Sequence, residues 1–127
     1  MQRYFYIYIE HLLYSHVTTS IVMLLCNKAC ATSYTVGDSS GWDYDVSGWE
    51  NGKSFKSGDT LVFNYPAGLH SVVAVDKSSY DLCSVPANAP TYTSGQDNIV
   101  LNKGANYFIC GIDGHCEFGM KIAANAF

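Results

Sequence analysis

From residue 31 onward, hydrophobic and polar positions alternate in short runs separated by turn residues. In Thr60-Leu61-Val62-Phe63-Asn64-Tyr65 the side chains of Leu61, Phe63 and Tyr65 fall on one face, the period of two of a half-buried strand. Pro66-Ala67-Gly68 ends that run. The segment from His70 to Asp76 is then apolar on both faces, as a strand inside a sandwich is, with His70 at its head on the face of Val72 and Ala74. Further strands are predicted at Ser33 to Val36, Thr91 to Thr93, Ile99 to Leu101 and Ala105 to Cys110. A closing strand puts Met120, Ile122 and Ala124 on one face. Between the strands at 99–101 and 105–110, Asn102-Lys103-Gly104 has the glycine of a tight hairpin turn. The stretch from Lys77 to Cys83 suits a single helical turn capped by Asp76 or Ser78. Trp42, Tyr44, Val46 and Trp49 form an aromatic-rich connection, for which core packing is the expected role. About seven short strands with Gly-, Asn-, Asp- and Ser-rich turns predict an all-β Greek-key β-sandwich.

The opening thirty residues follow a different pattern. A basic start at Arg3, an apolar run ending in Ser20-Ile21-Val22-Met23-Leu24-Leu25-Cys26 and the small-residue exit Ala29-Cys30-Ala31 predict a signal peptide over 1–30, cleaved after Cys30 or Ala31. A membrane span is not expected there, because His11, Ser15, His16, Thr18, Thr19 and Ser20 interrupt the apolar run. The remainder, 31–127, has the length of one domain. It carries five lysines against eight aspartates and two glutamates, a net charge of −5. Nucleic acid is therefore not an expected partner. The chain holds no Asn-x-Ser/Thr sequon and no hydrophobic tail after Met120, so neither N-glycosylation nor a GPI anchor is expected. The expected product is a secreted, extracellular monomer without a membrane anchor.

The chemistry is concentrated in Cys110-Gly111-Ile112-Asp113-Gly114-His115-Cys116-Glu117-Phe118-Gly119-Met120. A thiol, an imidazole and a thioether stand five residues apart on a glycine-containing loop between two strands. Thiolate and thioether favour Cu(I) while imidazole also suits Cu(II), so the mixture can hold copper through a one-electron change. A second imidazole is needed, and His70 is the candidate. Each residue alone has an ordinary reading, a satisfied histidine or a core methionine. The four together point to copper. The cysteine count agrees: once the leader is removed, Cys83, Cys110 and Cys116 remain, an odd number for an oxidising compartment. If Cys110 is the metal thiolate, Cys83 and Cys116 are left to pair; a bridge from Cys110 would leave His70, His115 and Met120 without a task. A structural zinc site of Cys83, Cys110, His115 and Cys116 is disfavoured, because adjacent residues of an extended chain point apart. A Cys–His nucleophile would explain neither Met120 nor a second histidine.

With these residues in place, the segment from Ala31 to Phe127 resembles the phytocyanins, and among them the plantacyanin (basic blue protein) group. The resemblance rests on Tyr34-Thr35-Val36-Gly37, Gly41-Trp42, Lys53-Ser54-Phe55-Lys56-Ser57-Gly58-Asp59, Phe63-Asn64-Tyr65, His70, Tyr92-Thr93-Ser94-Gly95 and above all Tyr107 to Ile122. It implies a cupredoxin-like fold and one type 1 copper, with His70, Cys110 and His115 as equatorial ligands and Met120 as the weak axial one. It also implies the Cys83–Cys116 disulfide, and one-electron transfer rather than enzyme activity. The redox partner would be a small molecule or an extracellular or cell-wall protein. The alternative that the resemblance brings is an extracellular signalling or cell-wall interaction protein of reproductive tissue, with copper accessory. Three positions depart from the group: the domain is acidic where relatives are basic, Ser71 replaces a common Asn and should brace the ligand loops less well, and Asp113 adds a negative charge that favours Cu(II).

Overall fold

A computed structural model of the protein describes residues 30–127. The leader expected over 1–30 lies, except for Cys30, outside the described residues. β1 (Ser33–Thr35) pairs in parallel with β2 (Thr60–Asn64), and β2 pairs antiparallel with β5 (Gln96–Val100), giving one sheet of order β1-β2-β5. The second sheet holds β3 (Val72–Val75), β4 (Thr91–Tyr92), β6 (Gly104–Ile109) and β7 (Lys121–Ala126) in the order β4-β3-β6-β7, antiparallel throughout. The all-β sandwich read from the alternation is therefore the fold.

The period of two decides what each strand contributes. Leu61 and Phe63 from β2, Ile99 from β5, Phe108 from β6 and Ile122, Ala124 and Ala126 from β7 meet between the sheets with Val36, Trp42 and Phe55. Burying a side chain such as Phe63 contributes about 1.5–3 kcal/mol. The neighbouring positions Val73 and Ile109 point out of the other face of the second sheet. There they form a smaller cluster with Cys116, against which Tyr80 and Cys83 pack. Tyr80 and its neighbours come from α1 (Lys77–Leu82), which is longer than the single turn expected; Asp76 caps it by accepting from the Ser79 N–H at 2.8 Å. β3, with neighbours on both sides, is the internal strand its two apolar faces suggested.

One local expectation is corrected. Asn102-Lys103-Gly104 is not a hairpin turn, because β5 and β6 belong to different sheets. The end of β5 stays with the first sheet: Leu101 N–H donates to Asp59 O at 2.8 Å and Gly58 N–H donates to Leu101 O at 2.9 Å. The corner is then tied by Asn106, whose Oδ1 accepts from Asn102 N–H at 3.1 Å and whose Nδ2 donates to Asn102 O at 2.8 Å. A glycine at positive φ serves a crossing between sheets as well as a hairpin, and the alternation of residues does not tell the two apart.

Candidate metal centre

His70 precedes β3 and Cys110 follows β6. These two strands pair through Val73 and Ile109, so antiparallel register brings the thiol beside the imidazole. The loop from Gly111 to Gly119 folds as consecutive turns, with His115 N–H donating to Ile112 O and Gly119 N–H to Cys116 O. Cys110 N–H donates to Met120 O at 2.9 Å, which fastens the two ends of the loop together. One donor atom each from His70, Cys110 and His115 lie within 4.8 Å of one another. His70 Nδ1 is 3.1 Å from His115 Nδ1, and Cys110 Sγ is 3.5 Å from the same His115 nitrogen. Both rings thus turn Nδ1 inward and leave Nε2 outward. Cys110 is 2% exposed and Met120 fully buried, in the same core cluster.

Two glycines permit this approach. A Cβ on Gly111 would stand 2.8 Å from Val73 Cγ2 and 3.0 Å from Ser71 Oγ, so only a bare backbone fits between the ligand segments. A Cβ on Gly41, at φ 70°, would lie 2.6 Å from Asn64 O. The absence of that Cβ lets Trp42 N–H donate to Asn64 O at 2.8 Å and Trp42 Nε1–H to Ser71 O at 2.9 Å. The indole is thereby riveted beside His70.

Ser71, where the chain departs from the resembling group, bridges the two ligand segments. Its Oγ accepts from Gly111 N–H at 2.9 Å, and its own N–H points at Cys110 Sγ at 3.5 Å. A backbone donor on the sulfur stabilises thiolate charge. Cys83 and Cys116 form a disulfide with Cα atoms 5.6 Å apart, tying the residue after His115 to the end of α1. This removes two of the four ligands that a zinc site would require. Among the described residues Cys110 is the free cysteine.

Tyr44 was expected in the core and is instead 47% exposed. Its hydroxyl lies 2.9 Å from His115 Nε2, and its ring stands edge-on to both His70 and His115, with centroids 5.6 and 5.0 Å away. Asp43 Oδ1 is 3.7 Å from His70 Nε2. Neither residue was singled out as part of the site. No local period marked Tyr44: Asp45, at φ 63°, breaks any alternation, and Tyr44 is exposed while Trp42 and Val46 are buried. Asp113 and Glu117 are exposed on the ligand loop, as are Leu69, Ile112 and Phe118 around it.

Burial, then the nearby His115, holds the His70 imidazole below its ordinary value of 6.5, against an opposing pull from Asp43. Its neutral, metal-binding form therefore persists to lower pH. Behind it, Tyr65 packs its ring 6.3 Å from His70 and donates its hydroxyl to buried Asp97, which also accepts from Ser94 Oγ at 2.5 Å. Burial and then the Asp97 bond push the Tyr65 phenol up to about 12. Tyr65→Phe should lower stability by about 1–3 kcal/mol in urea unfolding, since it leaves a buried carboxylate short of a donor. A raised folded-state phenol means that the neutral form is preferred. The Tyr65 contribution is thus present below pH 10 and lost as pH rises from 10 toward 12, and the difference between wild type and variant should narrow across that window. A difference that is small at neutral pH or constant with pH would contradict this.

A soft thiol, two inward imidazoles and a buried methionine at one end of a two-sheet sandwich are the donor set of the cupredoxins, the class of single-copper β-sandwich proteins. Comparison with known proteins agrees. A model of the plastocyanin-like domain matches residues 34–120. The basic blue protein of Arabidopsis thaliana is 48% identical over 110 residues, covering 87% of this chain and 85% of its own. Two solved structures superpose well: cucumber basic protein, described as a blue copper protein, with TM-score 0.75 and 49% identity, and spinach plantacyanin with TM-score 0.68 and 52% identity. Each match covers 76% of this chain and all of the other. The chain belongs to the plastocyanin-like domain family, and within it to the phytocyanins, the plant blue copper proteins of which plantacyanin is one.

Proposed function

We propose that this chain is a secreted one-electron carrier in which His70, Cys110, His115 and Met120 hold a single type 1 copper. The observation that carries the reading is the convergence of three donor atoms within 4.8 Å around the free, buried Cys110. Copper bound there would supply the one-electron couple. The protein's part is to keep the donors where they are. His70 and Cys110 flank paired strands, His115 sits on a loop closed by hydrogen bonds at its ends, and Met120 immediately precedes β7. Donors fixed in this way have little to reorganise between oxidation states. Burial of Cys110, His70 and Met120 keeps bulk water from competing as a ligand.

The leader read over 1–30 supports export, to the extracellular space or cell wall, where the domain 31–127 would act as a monomer. Its partner would be a small redox molecule or an extracellular protein. Among the described residues no helix is long and apolar enough to cross a membrane.

The surface around the ligands carries Asp43, Asp113 and Glu117, and no lysine lies in 66–71 or 110–120. With a net −5 over 31–127, cationic redox reagents should react faster than anionic ones of matched driving force. The Debye length falls from about 30 Å at 0.01 M salt to about 10 Å at 0.1 M. Stopped-flow oxidation of the reduced protein over that range should therefore slow with salt for cations and quicken for anions. Asp113→Asn should shrink both slopes. Slopes of the opposite sign would place the electron's exit on a positive surface and overturn this view of the partner.

A further inference from the structure

We infer that Tyr44 is a positioning residue for His115, fixing through its hydroxyl which imidazole nitrogen faces the metal and how strongly it donates. The inference rests on the copper reading above. Its ground is the way the segment from Gly41 to Val46 is built over the site. Trp42 is anchored by its backbone N–H to Asn64 and by its indole N–H to Ser71, and Val46 is buried in the core. Between these anchors Tyr44 is held across the open side of the ligands. Its ring meets His70, His115 and Phe118 edge-on, and its Oη is 2.9 Å from His115 Nε2. Asp45, the next residue, lies against Gly119 on the ligand loop. Ser47 N–H donates to Gly119 O at 3.1 Å. The segment is therefore fastened to the ligand loop at Gly119.

The chemical consequence follows from the tautomer. His115 Nδ1 faces Cys110 Sγ and His70, so it is the nitrogen that metal would take, and Nε2 must then carry the proton. That N–H donates to Tyr44 Oη. A partner on the outer nitrogen orients the ring and raises the basicity of the inner one. A more basic imidazole favours Cu(II) over Cu(I). The phenol hydroxyl thus sits at the outer edge of His115, which is the least buried of the three clustered donors.

Tyr44→Phe separates the hydroxyl from the ring. With the hydrogen bond gone, the ratio of Cu(II) to Cu(I) affinity should fall about three- to tenfold, the scale of one ordinary hydrogen bond. At 59 mV per decade for a one-electron couple this is a rise in potential of about 30 to 60 mV. A second readout needs no redox measurement. In the diamagnetic Cu(I)-loaded wild type the His115 Nε2 proton should be visible in proton–nitrogen spectra and slow to exchange with water; in Tyr44→Phe it should exchange about tenfold faster or more. Tyr92→Phe, at an exposed tyrosine outside the site, should change neither quantity. If Tyr44→Phe is blue, with the potential and the Nε2 exchange of wild type, the assignment of Tyr44 is wrong while the copper site stands. A wild type that takes up no copper in a blue form would instead overturn the copper reading. A rapidly exchanging Nε2 proton in blue wild type would refute the hydrogen bond without recourse to any variant.

Discussion

Cys110→Ser should abolish the intense visible absorption of the copper-loaded protein while leaving the two-sheet fold intact. The band expected of the wild type comes from charge transfer between a thiolate and Cu(II), and among the described residues Cys110 supplies the one free thiol. Serine is nearly the same size, so the buried position does not collapse. Its hydroxyl can still accept from Ser71 N–H, now 3.5 Å from the sulfur. The disulfide, which holds the loop, is untouched. Far-ultraviolet circular dichroism should match wild type, and the visible band should be absent at any copper concentration. A variant that remains intensely blue would contradict the assignment of the thiolate.

Removal of the bridge should have the opposite profile, a large loss of stability with the colour retained. Cys83 and Cys116 are 33 residues apart. In the chain-entropy model a closed loop of that length is worth about 3–4 kcal/mol. For a domain of this size, Cys83→Ala combined with Cys116→Ala should lower the melting midpoint of the metal-free protein by about 12–30 °C. Neither cysteine offers a donor to the metal, so the double variant should still turn blue at low temperature. A loss under about 1 kcal/mol would mean that the open chain already confines the loop through the cluster of Val73, Ile109 and Tyr80.

The sequence carried the ligands and the strands further than it carried their surroundings, for physical reasons. His70, Cys110, His115 and Met120 are legible because their side-chain chemistry is unusual and their spacing on one loop is short. Leu61, Phe63 and Tyr65 are legible because one face of their strand meets a core. The hairpin expected at Asn102-Lys103-Gly104 failed because local turn chemistry does not encode the sheet to which the next strand is added. That choice is made by distant pairing, β6 with β3 and β7. Tyr44 was misplaced for a similar reason. Its apolar ring suits a core, but its position between buried Trp42 and Val46 falls at the end of the sandwich, where the same ring covers the ligands. Asp43, beside it, is read as a solvated charge until the fold brings it to His70 Nε2. Contacts that join residues far apart in the chain, such as Tyr44 with His115, leave no local period to find.

The most direct test is titration of metal-free protein, expressed as 31–127, with Cu(II) under observation by visible absorption. The expected result is an intense thiolate charge-transfer band that grows linearly and saturates at one copper per chain, with one reactive thiol lost in step. Copper uptake without that band, or saturation while Cys110 remains reactive, would contradict a one-electron site built on His70, Cys110, His115 and Met120.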